Sequence, residues 1–141
     1  MKNNFLKLNF IFLIALYFWI QSSNIHANEI KLKASEILTR EEGNIIIGNN
    51  NAEAKIQDEL EIYADKFTYN KKNNFLKAEG NVLAIDLLKN IKIRSNKIEF
   101  DKLNNKIFSK GKTFFDLNKK YEIESEDVDY MISEAVISLK E

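Results

Sequence analysis

The 141-residue chain has no cysteine and no proline, and its single histidine and single tryptophan, His26 and Trp19, both fall in the first 27 residues. From Asn28 to Glu141 there is neither an imidazole nor a thiol. The commonest general bases, soft-metal ligands and nucleophile-base pairs therefore cannot be built in that part of the chain. Carboxylates remain, such as Asp58/Glu59 and Glu122, Glu124, Glu126 and Asp127. The second group alternates with apolar residues as the solvent face of a strand does, and no calcium loop of EF-hand type surrounds it. A solvated face outweighs a metal or acid-base site, so the expectation is no enzyme, no metal and no cofactor. Charge of one sign is lacking too. Residues 28–141 carry 19 Lys and Arg against 21 Asp and Glu, intermixed along the chain, so no basic patch supports nucleic-acid binding. The missing cysteine carries less, because an exported domain of this size can stand on its core without a disulfide.

The first 27 residues are a separate object. Lys2 and Lys7 lie in a polar start, Phe10 to Ile20 is an unbroken apolar run of eleven, and a polar stretch ends in Ile25-His26-Ala27. This order reads as a secretory signal peptide cleaved before Asn28. Eleven apolar residues fall short of the ~20 a membrane span needs. The alternative is an uncleaved anchor, since Ile25 is a less usual residue than Ala at its position. The remainder, 28–141, suffices for one domain with a real core and not for two.

Within that domain the sequence nearly repeats itself at a spacing of 31: LEIYADKFTYNKKNNFLKAEG (60–80) and IKIRSNKIEFDKLNNKIFSKG (91–111), with weaker flanking copies IKLKASEILT (30–39) and YEIESEDVDYM (121–131). About four ~30-residue units stacked on one another are implied, because one such unit cannot bury its apolar face alone. Apolar residues step by two and then slip by one: Leu60/Ile62/Ala64 against Phe67/Tyr69, Ile91/Ile93/Ser95 against Ile98/Phe100, and Tyr121/Ile123/Ser125 against Val128/Tyr130. Period two is the strand signal, and a slip at a constant place predicts a bulge or corner that turns each strand while its apolar face stays inward. The paired asparagines of NKKNN and DKLNN tolerate left-handed backbone and predict hairpin turns. A second strand follows, with Leu76, Ala78, Gly80, Val82 and Ala84 in one copy and Ile107, Ser109, Gly111, Thr113 and Phe115 in the next. Lys66, Lys92 and Glu99 take the outward parity.

The stretches ADKFTYNKKNNFLKAEGNV (64–82) and SNKIEFDKLNNKIFSKGKTFF (95–115), behind a signal peptide, resemble the OstA-like family of lipopolysaccharide transport, the family of the periplasmic bridge protein LptA and the periplasmic N-terminal domain of the translocon LptD. The resemblance covers essentially residues 29–132. It implies an all-β fold, a twisted open β-jelly roll of two antiparallel sheets splayed like a V, in the periplasm. Its apolar interior would bind lipopolysaccharide through Ile62, Ala64, Phe67, Tyr69, Leu76, Ala78, Val82, Ile93, Ile98, Phe100, Ile107, Phe115, Ile123 and Val128. Other OstA-like domains of the bridge and translocon are the implied partners.

Two alternatives stay open on the residues. The small inward positions Gly48, Ala78/Gly80 and Ser109/Gly111 leave space for an acyl chain, or else supply bulges and close approach between sheets. The chain also stops partway through a copy, which leaves strand edges free to recruit partners by strand addition. A head-to-tail homo-oligomer would join Val136, Ile137 and Leu139 at one end to Ile30, Leu32 and Ala34 at the other. The same stop, without the strands of a membrane barrel, fits a truncated translocon fragment, and a purely structural β-stack without lipid binding is the remaining reading.

Overall fold

A computed structural model describes residues 30–140, so the expected signal peptide and its cleavage before Asn28 lie outside the described residues. Among these, the order is β1 (Ile30–Lys33), β2 (Glu36–Arg40), a 3-10 turn (Glu41–Gly43), β3 (Ile45–Ile56), β4 (Leu60–Asn70), β5 (Phe75–Asp86), β6 (Ile91–Asp101), β7 (Lys106–Ser109), β8 (Thr113–Leu117), β9 (Tyr121–Ser125), β10 (Asp127–Met131) and β11 (Val136–Lys140). The fold is all-β, and every strand pair is antiparallel.

The two expected sheets are two halves of one. The pairing register shifts at the same level in three successive strand pairs, between Asn49 and Ala52, between Tyr63 and Lys66, and between Glu79 and Val82. At that level β3 and β5 each carry an extra residue, held by left-handed backbone at Asn50 and Asn51 and at Gly80 and Asn81. Asparagine and glycine are the residues that take such angles at least cost. This line of bulges is a hinge. On one side lies a first layer, ordered β2, β3, β4, β5, β6, β7, β10, β11; on the other a second layer, ordered β1, β3, β4, β5, β6, β8, β9. Only β3 to β6 run through both. The predicted slip is thus the fold's corner, and it keeps Leu60, Ile62, Phe67 and Tyr69 of β4 all buried on the inner face.

The hairpin turns form as the asparagine pairs predict. Asn74 and Asn105, the second of each pair, have positive φ. Side-chain oxygens at the start of the turns accept backbone N–H groups, Asn70 from Lys72 and Asp101 from Leu103 and Asn104. The turn between β5 and β6 uses the same chemistry with Asp86 and Asn90. The first strand of each flanking copy, unlike that of the central two, is split at the hinge into separate strands, β1 and β2 at one end and β9 and β10 at the other, and β7 and β8 divide at the same level.

Candidate functional site

The inner faces of the two layers meet in one apolar cluster. Of the fourteen residues assigned to the interior, Ile62, Phe67, Tyr69, Leu76, Ala78, Val82, Ile93, Ile98, Phe100, Ile107, Phe115 and Val128 are buried in it, and Ala64 and Ile123 pack against it half-buried. The outward set behaves oppositely: Lys66 is exposed, and Glu99 pairs with Lys97 at 2.8 Å on the outer face. The cluster also holds Ala52, Ala54, Ile56, Leu60, Ala84, Ile91, Tyr130 and Ile132, which the assignment omitted. Most of these were visible as a signal. Ala52, Ala54 and Ile56 stand thirty residues before Val82, Ala84 and Asp86 at the same parity, but the run of asparagines at 49–51 hides β3 as a strand.

The small inward residues have backbone and packing roles. A Cβ on Gly48 would strike the ring of Phe67 and the methyl of Ala34, so this glycine lets the aromatic ring lie on the strand. Gly80 and Gly111 both have positive φ at the hinge level, and Asp65 fills the place where a Gly80 side chain would go. Ser109 and Thr113, both buried, share a hydrogen bond of 2.9 Å, and Ser95 lies 3.1 Å from the Thr113 hydroxyl. Close approach and bulging therefore account for these positions, and the interior is a filled core in this conformation.

At the free tips of the layers, opposite the hinge, the lining turns polar. Tyr130 of β10 donates to Asp86 of β5 at 2.7 Å, and the Tyr130 ring stands edge-on to Phe115 of β8 at 6.3 Å. Burial and then the Asp86 hydrogen bond raise the Tyr130 hydroxyl above its usual pKa, so it remains a donor. The outer face is a mixed-charge lattice. Lys55 is raised chiefly by its bond to Glu61, and Glu61 is lowered by Lys55 and then Tyr63. Among the described residues no three His, Cys, Asp or Glu side chains gather as metal ligands.

The residues assigned to the assembly edges fall as follows. β1, with Ile30 and Leu32, and β2, with Ile37 and Leu38, both pair only with β3 and so form the edge at the N-terminal end. At the other end β11, with Val136, Ile137 and Leu139, pairs only with β10, and β9 only with β8. β1 and β11 lie in different layers, and Ala34 sits between β1 and β2, against Gly48. The layer that holds β11 has β2 at its far edge.

An open antiparallel sheet creased into a two-layer roll around an apolar interior is the class of protein these features define. It is a β-jelly roll. Among solved structures, the chain shares its fold with LptH, the LptA homologous periplasmic component of the conserved lipopolysaccharide transport device of Pseudomonas aeruginosa, at a TM-score of 0.70 and 10% identity, over 79% of this chain and 82% of that one. No family description and no curated protein matches the sequence.

Proposed function

We propose that this chain is a periplasmic component of lipopolysaccharide transport and a member of the OstA-like family, and that the space between its layers receives the acyl chains of the glycolipid. The observation that carries this reading is the fold shared with LptH over most of both chains, joined to an inner face that is apolar from β3 to β10. Each CH₂ withdrawn from water is worth ~0.8 kcal/mol, so a glycolipid with several acyl chains faces a barrier of tens of kcal/mol in the aqueous periplasm, and an apolar interior removes it. The filled core means that the layers part along their tips to take a ligand, with β3 to β6 bending at the hinge.

Assembly belongs to the same reading. Alternation along the first layer sets β11 and the β2 of a following copy antiparallel, so strand addition there continues the sheet. Joining β11 to β1 crosses from one layer to the other, and joining β9 to β1 places like-directed strands together. The edge residues are thus Val136, Ile137 and Leu139 against Ile37 and Leu38, while Ile30 and Leu32 lie on β1 at the edge of the other layer and Ala34 lies between β1 and β2. The contact is heterologous and open-ended, so it builds filaments.

The test is photocrosslinking in cells. Probes at Phe67, Ile98 and Phe115, and at the half-buried Ala64 and Ile123, are expected to capture lipopolysaccharide, while probes at Lys66, Lys92 and Glu99 are not. Equal capture from both faces, or none from either, defeats the lipid-carrying reading and leaves a structural β-stack.

A further inference from the structure

The second layer ends its strands β3, β5 and β8 with Ile56, Asp86 and Leu117, at spacings of 30 and 31. Two of these equivalent positions are apolar, and the third is a carboxylate only 2% exposed. Its surroundings account for the exception. Asp86 Oδ1 accepts the Lys89 N–H at 2.8 Å, Oδ2 accepts the Tyr130 hydroxyl at 2.7 Å, and Lys89 Nζ stands 3.6 Å from Oδ2 while donating to the Ile132 carbonyl. Asp86 and Lys89 belong to the tip of the second layer, and Tyr130 and Ile132 to the tip of the first. At the hinge the layers are held by continuous chain, and at the tips these bonds tie them.

We propose that Asp86, Tyr130 and Lys89 form a latch that sets how far the layers part at their free tips. The latch rests on the reading that the interior is the ligand site. Its design makes opening reversible. Lys89 lies three residues after Asp86 in the same turn, so when the layers separate the ion pair travels intact with the second layer, and only Tyr130 and the Ile132 carbonyl leave with the first. A buried carboxylate stripped of every partner would be strongly disfavoured. Here the partly exposed lysine stays beside it, and water replaces the tyrosine. Leu87 and Leu88, exposed in that same turn, put apolar surface on the rim where an acyl chain first arrives. The polar pair also gives the two layers a fixed alignment that interchangeable aliphatic contacts would not.

The experiment separates the latch from the reading it rests on. The chain has no cysteine, so spin labels at Leu88→Cys and Glu134→Cys, on the two facing turns, report the distance across the tips. The otherwise unchanged protein is expected to give one short distance. Tyr130→Phe, and Asp86→Leu combined with Tyr130→Phe, are expected to add a population at longer distance. The double variant keeps the core filled, with leucine as at position 117, so it serves if the single variant folds poorly. An identical distance distribution in the double variant overturns the latch. Binding of the fluorescent fatty acid cis-parinaric acid is then measured on the same proteins, with uptake expected to tighten about tenfold, or ~1.4 kcal/mol, when the latch is removed. Wider tips with no uptake by any variant leave the latch standing and defeat the interior as a lipid site.

Discussion

The central strands β3 to β6 and the terminal strands carry the same alternating pattern and meet different fates. Ile37, Phe67 and Ile98 occupy equivalent places after the hinge in successive copies, yet Ile37 is 48% exposed while Phe67 and Ile98 are 2% and 0%. Tyr121 and Ile91, equivalent before the hinge, are 61% and 6% exposed. The local sequence is as apolar at the ends as in the middle. What differs is the neighbour: an inner side chain is covered only where strands lie on both sides of its own and the facing layer reaches over it. Burial here is a property of the stack, and it falls off toward the two edges, where a strand has a neighbour on one side only.

The comparison breaks most sharply by truncation. Phe67→Ala in the centre is expected to cost about 3–5 kcal/mol, as a large side chain lost from a filled core does, and Ile37→Ala at the end less than about 1 kcal/mol. Urea unfolding of the two variants decides it, and equal losses would mean that the ends are as well packed as the middle. Next in size comes Gly48→Ala. The added methyl has to displace the Phe67 ring, an overpacking cost of about 1–3 kcal/mol. At Gly111, where a Cβ meets open space, Gly111→Ala carries only the backbone penalty of positive φ, roughly 1 kcal/mol. Thermal unfolding should rank the two in that order.

The ends are tested by assembly. Placing charge on the exposed edge, with Val136→Lys and Leu139→Lys, is expected to weaken head-to-tail association at least about tenfold, ~1.4 kcal/mol, and to leave the unfolding midpoint nearly unchanged. Light scattering over a concentration series reads it. A monomer at every concentration in the unaltered protein would remove the bridge reading and favour a translocon fragment.

The smallest effect is on the outer face of the central strands. Glu61, bonded first to Lys55 and then to Tyr63, Glu79 beside Lys77, and Asp101 beside Asn104 are all held below the usual carboxylate range. A carboxylate lowered in the folded state contributes stability that is complete above its unfolded pKa and is lost as pH falls through the folded value. The unfolding midpoint should therefore be flat from neutrality to about pH 5 and decline below about pH 4. Glu61→Gln should make that decline shallower.

The strand pattern, the phase slip and the asparagine turns were legible because each is a local requirement. Period two, a bulge and left-handed backbone are imposed by a few neighbouring residues, and a repeat states them more than once. β3 was harder to read, since Gly48 and the asparagines at 49–51 look like a loop until the strand's place in the hinge is known. The glycines show the same limit. Whether a missing side chain means empty space or a ring from the next strand depends on where Phe67 lies, which no residue near Gly48 states.

By itself, then, the sequence determined that this is a β-chain creased at a constant place in each copy with an apolar face kept inward, because alternation and turn chemistry act over a few residues. Only the tertiary structure decided that the crease folds one sheet into two layers, that Asp86 meets Tyr130 across them, and that the free edge opposite β11 is β2. Asp86 and Tyr130 stand 44 positions apart, where direct contact across the layers, and no local preference, sets the partner.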